Sequence, residues 1–135
     1  MFVNIDHIGI AVSDLTAAKS LFEKLTGHPI AHEESVPSEK VNTAFVQVGN
    51  TKLELLEPMN GEGPMQKFID KRGEGIQQMA FEVDDIYTEM ERLKSAGFEL
   101  LNDEPKKGAN NTLVCFIHPR SANGILVEVL QKLDS

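Results

Sequence analysis

The stretch His7-Ile8-Gly9-Ile10-Ala11-Val12-Ser13-Asp14-Leu15 is answered 71 residues later by Gln78-Met79-Ala80-Phe81-Glu82-Val83-Asp84-Asp85-Ile86. In the first copy Ile8, Ile10 and Val12 alternate with His7, Gly9 and Ala11, the period of a strand, and residues 2–12 are predicted to form one. Ser13 and Asp14 then offer caps for a helix with apolar positions Ala17, Ala18, Leu21, Phe22 and Leu25, ending at Gly27. In the second copy a helix over residues 86–96 carries Ile86, Met90 and Leu93 on one face and stops at Gly97. Strands follow in both: residues 41–48 and 52–57, joined by the turn Gly49-Asn50-Thr51, and residues 113–118 and 125–130, joined by a loop holding Pro119 and Gly124. Leu53-Glu54-Leu55-Leu56 matches Val127-Glu128-Val129-Leu130 at an offset of 74, so the last hairpin loop of the second copy is three residues longer. The period is too long for a solenoid and fits a duplicated half-domain. One domain over residues 1–135 is expected, α+β in class, with module 1 at about 1–58 and module 2 at about 74–131. Residues 31–40 are polar and give no assignment, and a short helix is expected around residues 65–71.

Composition narrows the function. With 41% hydrophobic and 25% charged residues the chain reads as globular, and no apolar run approaches the roughly 20 residues that span a bilayer. A net charge of -8 without a basic stripe excludes a nucleic-acid partner, while a local basic pocket for a phosphorylated small molecule stays compatible. Residues 1–6 lack the order of a signal peptide, and the single cysteine excludes an internal disulfide; both fit a cytoplasmic protein. Cys115, inside an apolar run, is expected in the core.

The duplication carries chemistry. Each half opens its first strand on a polar residue, His7 or Gln78, and places one glutamate, Glu54 or Glu128, in an otherwise apolar last strand. Alternation puts each glutamate on the face opposite its apolar neighbours, where a carboxylate calls for a cation, a hydrogen-bond network or a metal. If the halves are related by a pseudo-twofold axis, the four side chains converge on one centre. One imidazole, one amide and two carboxylates suit a hard or borderline divalent ion. Glu57, Glu82 and Glu99 read as solvated strand-face carboxylates, and His28 and His32 as solvated. His118, before Pro119 at a strand end, is a candidate neighbour of the centre.

Residues 6–12 (Asp-His-Ile-Gly-Ile-Ala-Val) and 50–58 (Asn-Thr-Lys-Leu-Glu-Leu-Leu-Glu-Pro) resemble the vicinal oxygen chelate superfamily, and within it the methylmalonyl-CoA epimerases. Residues 71–76, 80–86 and 103–106 support this, as do Phe116-Ile117-His118-Pro119-Arg120-Ser121 and Gly124-Ile125-Leu126-Val127-Glu128. The resemblance implies two βαβββ modules forming a cupped mixed sheet, a homodimer, and His7, Glu54, Gln78 and Glu128 as ligands of a divalent metal (cobalt, manganese, zinc or nickel). One departure stands out: the family usually reads Gly-Ile-His-His where this chain has Gly75-Ile76-Gln77-Gln78. Loss of that imidazole weakens transition-metal affinity and shifts preference toward harder ions.

The implied reaction is proton transfer at the carbon beside a thioester carbonyl of an acyl-CoA, with a metal stabilising the enolate. It interconverts the 2R and 2S epimers. Glu128 is the first candidate for the proton-transfer group and Glu54 the second. Thr43 stands where some members carry a carboxylate and cannot act as a base, so it counts with the substrate contacts. Lys106, Lys107 and Arg120 are candidates for the CoA phosphates, with His118 beside them. Two other readings stay open on sequence: a glyoxalase-type lyase or isomerase acting on a thiol adduct, and a non-catalytic small-molecule-binding module, which the Gln77-Gln78 pair favours.

Overall fold

A computed structural model describes residues 1–133. The chain runs β1 (Phe2–Ala11), α1 (Leu15–Thr26), β2 (Ile30–Val36), β3 (Val41–Val48), β4 (Thr51–Pro58), α2 (Pro64–Arg72) and β5 (Gly75–Val83). It continues through α3 (Ile86–Ser95), β6 (Lys106–Gly108), β7 (Thr112–Ile117), a 3-10 turn at Pro119–Ser121, and β8 (Leu126–Lys132). The α+β class and the repeated βαβββ order are those expected. Backbone contacts divide the chain into two compact units, residues 7–77, and residues 1–6 with those from 78 onward.

In the 7–77 unit the strand order is β2-β3-β4-β1, with β1 parallel to β4 and the other pairs antiparallel. Asp14 caps α1 by accepting the Ala17 N–H at 3.1 Å, and Gly27, at φ +76°, supplies the left-handed residue that closes it. The helix lays Leu15, Ala18 and Phe22 against Ile10, Val12 and Leu55. The opposite face packs Ala11, Val41 and Leu56 against Met65, Phe68 and Ile69 of α2. Leu21 and Leu25, expected in the buried stripe, are exposed: only the 15/18/22 row reaches the sheet, and the neighbouring row turns outward.

Residues 31–40, unassigned from sequence, contain most of β2. It is an edge strand whose five central residues are all exposed, so it shows no burial alternation; its ladder to β3 holds it. Glu57, read from sequence as solvated, is half-buried. Its carboxylate accepts the Leu15 N–H at 2.7 Å and the Asn42 side-chain amide at 3.0 Å, satisfying an orphan donor at the start of α1.

In the other unit the order is β5-β8-β7-β6, with β5 parallel to β8. Helix α3 packs Ile86, Met90 and Leu93 on Val83, Cys115, Ile117 and Val129, so Cys115 is a core residue. Ala80, Val114, Phe116 and Leu130 form a cluster on the opposite face. Phe2 stacks on Phe81 with ring centroids 4.7 Å apart, and Lys132 Nζ bridges Asp6 at 3.2 Å and Glu82 at 3.5 Å. Glu82 is thus half-buried and paired, not solvated as the sequence suggested. Strand β6, absent from the sequence reading, exists because Asn110 (φ 55°) and Asn111 (φ 57°) turn the chain with two successive left-handed residues. That Asn-Asn pair was the available signal.

Candidate active site

Register fixes the faces. Strand β1 pairs His7 with Lys52, Gly9 with Glu54 and Ala11 with Leu56 on β4, and β3 pairs Phe45 with Glu54 and Thr43 with Leu56. Since side chains on directly paired residues share a face and alternate along each strand, His7, Lys52, Glu54, Phe45 and Thr43 all lie on the face opposite α1. There His7 Nε2 stands 3.6 Å from Glu54 Oε1, with the imidazole 13% and the carboxylate 28% exposed.

The second unit repeats this register. Strand β5 pairs Gln78 with Leu126 and Ala80 with Glu128, and β7 pairs Phe116 with Glu128. Gln78 therefore stands to Glu128 as His7 stands to Glu54, and Phe116 to Glu128 as Phe45 to Glu54. The offset is still 71 residues at the phenylalanines and becomes 74 only at the glutamates, which places the three extra residues in the β7–β8 connection. Gln78 and Glu128 are both half-buried and lie on the face opposite α3.

The substrate-contact candidates separate by position. Thr43 shares the Glu54 face, and its hydroxyl donates to the Glu34 carbonyl at 3.1 Å. A cavity of about 300 Å³ in the 7–77 unit includes Thr43, Glu34, Asn42 and Glu57 in its lining but neither His7 nor Glu54. Lys106 pairs with Val114 and so shares the Glu128 face, its Nζ 5.4 Å from the Phe116 ring; Lys107, one residue on, points to the α3 face. Arg120 is engaged: its guanidinium donates to both oxygens of Glu99, at 2.9 and 3.1 Å, and holds that carboxyl below its ordinary range. His118 Nδ1 accepts the Arg120 N–H at 3.1 Å and closes the 3-10 turn. Sequence reasoning missed Lys52, Phe45 and Phe116; the alternation that singled out Glu54 also puts Lys52 on its face, whereas the pairing of Phe45 and Phe116 with the glutamates is set by strand register and carries no local signal.

Among the described residues no group of three or more His, Cys, Asp or Glu side chains stands as a metal cluster. The donor pair within the 7–77 unit does fit a divalent ion. An N···O separation of 3.6 Å exceeds a hydrogen bond and is close to the ~3.0–3.4 Å between two donors that each lie ~2.1 Å from one ion.

Two βαβββ modules of this topology, each with a polar residue and a glutamate in fixed register, define the class. Residues 6–116 match the glyoxalase/bleomycin resistance protein/dioxygenase superfamily, and the chain belongs to it. Within that class its relatives include the ethylmalonyl-CoA/methylmalonyl-CoA epimerase of Cereibacter sphaeroides, 38% identical over 97% of this chain and 99% of that one. The uncharacterized protein YqjC of Bacillus subtilis is 39% identical over 94% of this chain and 91% of its own. Among solved structures, methylmalonyl-CoA epimerase from Mycobacterium tuberculosis superposes with a TM-score of 0.81 at 33% identity, over 98% of this chain and 90% of that one. A methylmalonyl-CoA epimerase in complex with methylmalonyl-CoA and ammonium gives 0.81 at 30% identity, over 98% and 96%.

Proposed function

We propose that this protein is a methylmalonyl-CoA epimerase, with His7, Glu54, Gln78 and Glu128 holding a divalent metal and Glu128 and Glu54 moving the proton. The observation that carries the reading is the repeated register: His7 and Gln78, expected to open their strands, lie inside β1 and β5, and in each module a glutamate stands two residues beyond the position that pairs with them. The epimerase relatives supply the substrate class.

When bound, a divalent ion supplies Lewis-acid stabilisation of the charge that develops on the thioester oxygen. The chain's own groups do the rest. Glu128 takes the α-proton from one face of the substrate carbon, and Glu54 returns one from the other, inverting the centre. Thr43 contributes a contact to the acyl group. Lys106, on the Glu128 face, is the favoured contact for CoA phosphates. Lys107 lies on the opposite face and Arg120 is committed to Glu99, so both rank behind it; His118 serves by shaping the turn that carries Arg120. Gln78 replaces an imidazole by a neutral amide, so manganese or cobalt is favoured over zinc or nickel. The working state is a cytoplasmic homodimer. No helix among the described residues is long and apolar enough to cross a membrane.

The test is deuterium entry at the α-carbon of methylmalonyl-CoA in D2O with cobalt or manganese present. Metal-dependent exchange that is lost in Glu128→Gln is the expected result. No exchange with any divalent metal would overturn the reading and give the lead to a thiol-adduct lyase or a binding module.

A further inference from the structure

Lys52 forms no ion pair with any described residue, and its ammonium lies over an aromatic ring instead. Its backbone pairs with His7 on one side and Gln47 on the other, and it precedes Glu54 by two residues, so its side chain leaves from the His7–Glu54 face. The residue is half-buried. Its ammonium lies 5.2 Å from the centroid of Phe45, the residue paired with Glu54, and among the described residues no carboxylate comes within ion-pair distance of it. Other lysines of this unit are committed differently: Lys19 pairs with Glu33 at 2.6 Å and Lys40 with Glu62 at 3.3 Å. An aromatic face steadies an ammonium without cancelling its charge, so the group keeps its attraction for an incoming anion. The other unit repeats the motif with Lys106 over Phe116, but Lys106 is exposed on the short strand β6, whereas Lys52 sits on β4 beside the His7–Glu54 pair. The exposed lysine suits the CoA end of a substrate, the half-buried one its acyl end.

We propose that Lys52 reads the free carboxylate of the acyl group and sets the preference for malonyl-type over acetyl-type thioesters. The inference rests on the acyl-CoA reading above and adds the residue that selects the acyl class.

Malonyl-CoA and acetyl-CoA share every CoA phosphate and differ by one carboxylate, so the ratio of their affinities isolates the contact. Titration calorimetry on cobalt-supplied protein is expected to show wild type preferring malonyl-CoA. Lys52→Met keeps the aliphatic stem on Phe45 and should weaken malonyl-CoA by about tenfold or more while leaving acetyl-CoA within about twofold. Lys52→Gln should behave alike, and Lys52→Arg should recover much of the preference. Equal weakening of both thioesters would place the lysine on the CoA phosphates and overturn the proposal. No change in either would reduce it to a packing residue on Phe45 and overturn the proposal as well. Failure of wild type to bind either thioester would instead bring down the acyl-CoA reading itself, and this inference with it.

Discussion

His7 Nε2 and Glu54 Oε1 face each other at 3.6 Å on neighbouring parallel strands. The distance is too long for a hydrogen bond and suits two donors around one cation. Parallel pairing offsets the two residues by a single layer, His7 opposite Lys52 and Glu54 opposite Gly9, so they meet diagonally across the face.

Metal binding should follow from that geometry. His7→Ala and Glu54→Ala are each expected to lower cobalt affinity at least about tenfold in competition with a chromophoric chelator. Gln78→His should raise it by a similar factor, because an imidazole is the stronger ligand for a borderline ion. Unchanged affinity in all three variants would remove these residues from the metal centre.

Gly108 is held by space. A Cβ there would lie 2.7 Å from Thr112 Oγ1 and 2.7 Å from Val114 Cγ1, while that hydroxyl is engaged with the Ala109 carbonyl at 2.8 Å. Gly108→Ala should cost about 1–3 kcal/mol in urea unfolding. A midpoint equal to wild type would show that the β6–β7 hairpin yields freely.

Glu89 is a buried carboxylate on α3, 1% exposed. It accepts from Arg92 Nε at 3.2 Å and a terminal guanidinium nitrogen at 2.9 Å, and from the Met1 ammonium. The Arg92 hydrogen bonds, ahead of the opposing effect of burial, hold its pKa below the ordinary 4.5. A depressed folded value means the ionised carboxylate contributes stability that is complete above that ordinary value and is lost as pH falls through the lower one. Arg92→Gln should therefore lower stability at pH 7, and the gap from wild type should narrow in acid as Glu89 is protonated. Urea titrations at pH 7 and pH 3 would show it; a gap independent of pH would assign the loss to the contact of Arg92 with the Phe2 ring.

Cys115 is fully buried, and its thiol is pushed up to about 11, first by burial and then by the Glu128 charge. At pH 8 the folded protein should resist thiol-specific chromogenic reagents and react fully only after denaturation. Rapid stoichiometric labelling of the native protein would contradict the placement of this strand.

The duplication was legible because it is written in local signals. Strand alternation, an aspartate cap and a glycine stop each act within a few residues, and two copies in the same order reinforce each other. Of the two cap candidates Ser13 and Asp14, Asp14 accepts from Ala17 N–H, and Asp85, at the matching position of the second copy, accepts from Tyr87 and Thr88 N–H. His7, Glu54, Gln78 and Glu128 were singled out for the same reason, as polar residues breaking an apolar alternation. Strands β2 and β6 escaped because their stability is not local. One is an exposed edge held by its ladder to β3, and the other is three residues long and made by a turn.

Sequence by itself thus determined the α+β class, the repeated βαβββ order, the position of the three-residue insertion and the face on which each glutamate stands. Tertiary structure decided which charges are already committed. Arg120 and Glu57 look alike from sequence to any other surface charge, yet one is tied to Glu99 and the other to the start of α1. Lys52 looks like a solvated strand lysine, yet its ammonium lies over an aromatic ring on the His7–Glu54 face. The Arg120–Glu99 and Leu15–Glu57 contacts join residues 21 and 42 positions apart. In a strand the pattern of alternation reports a side chain's face but not its partner across the ladder, so no local signal could carry them.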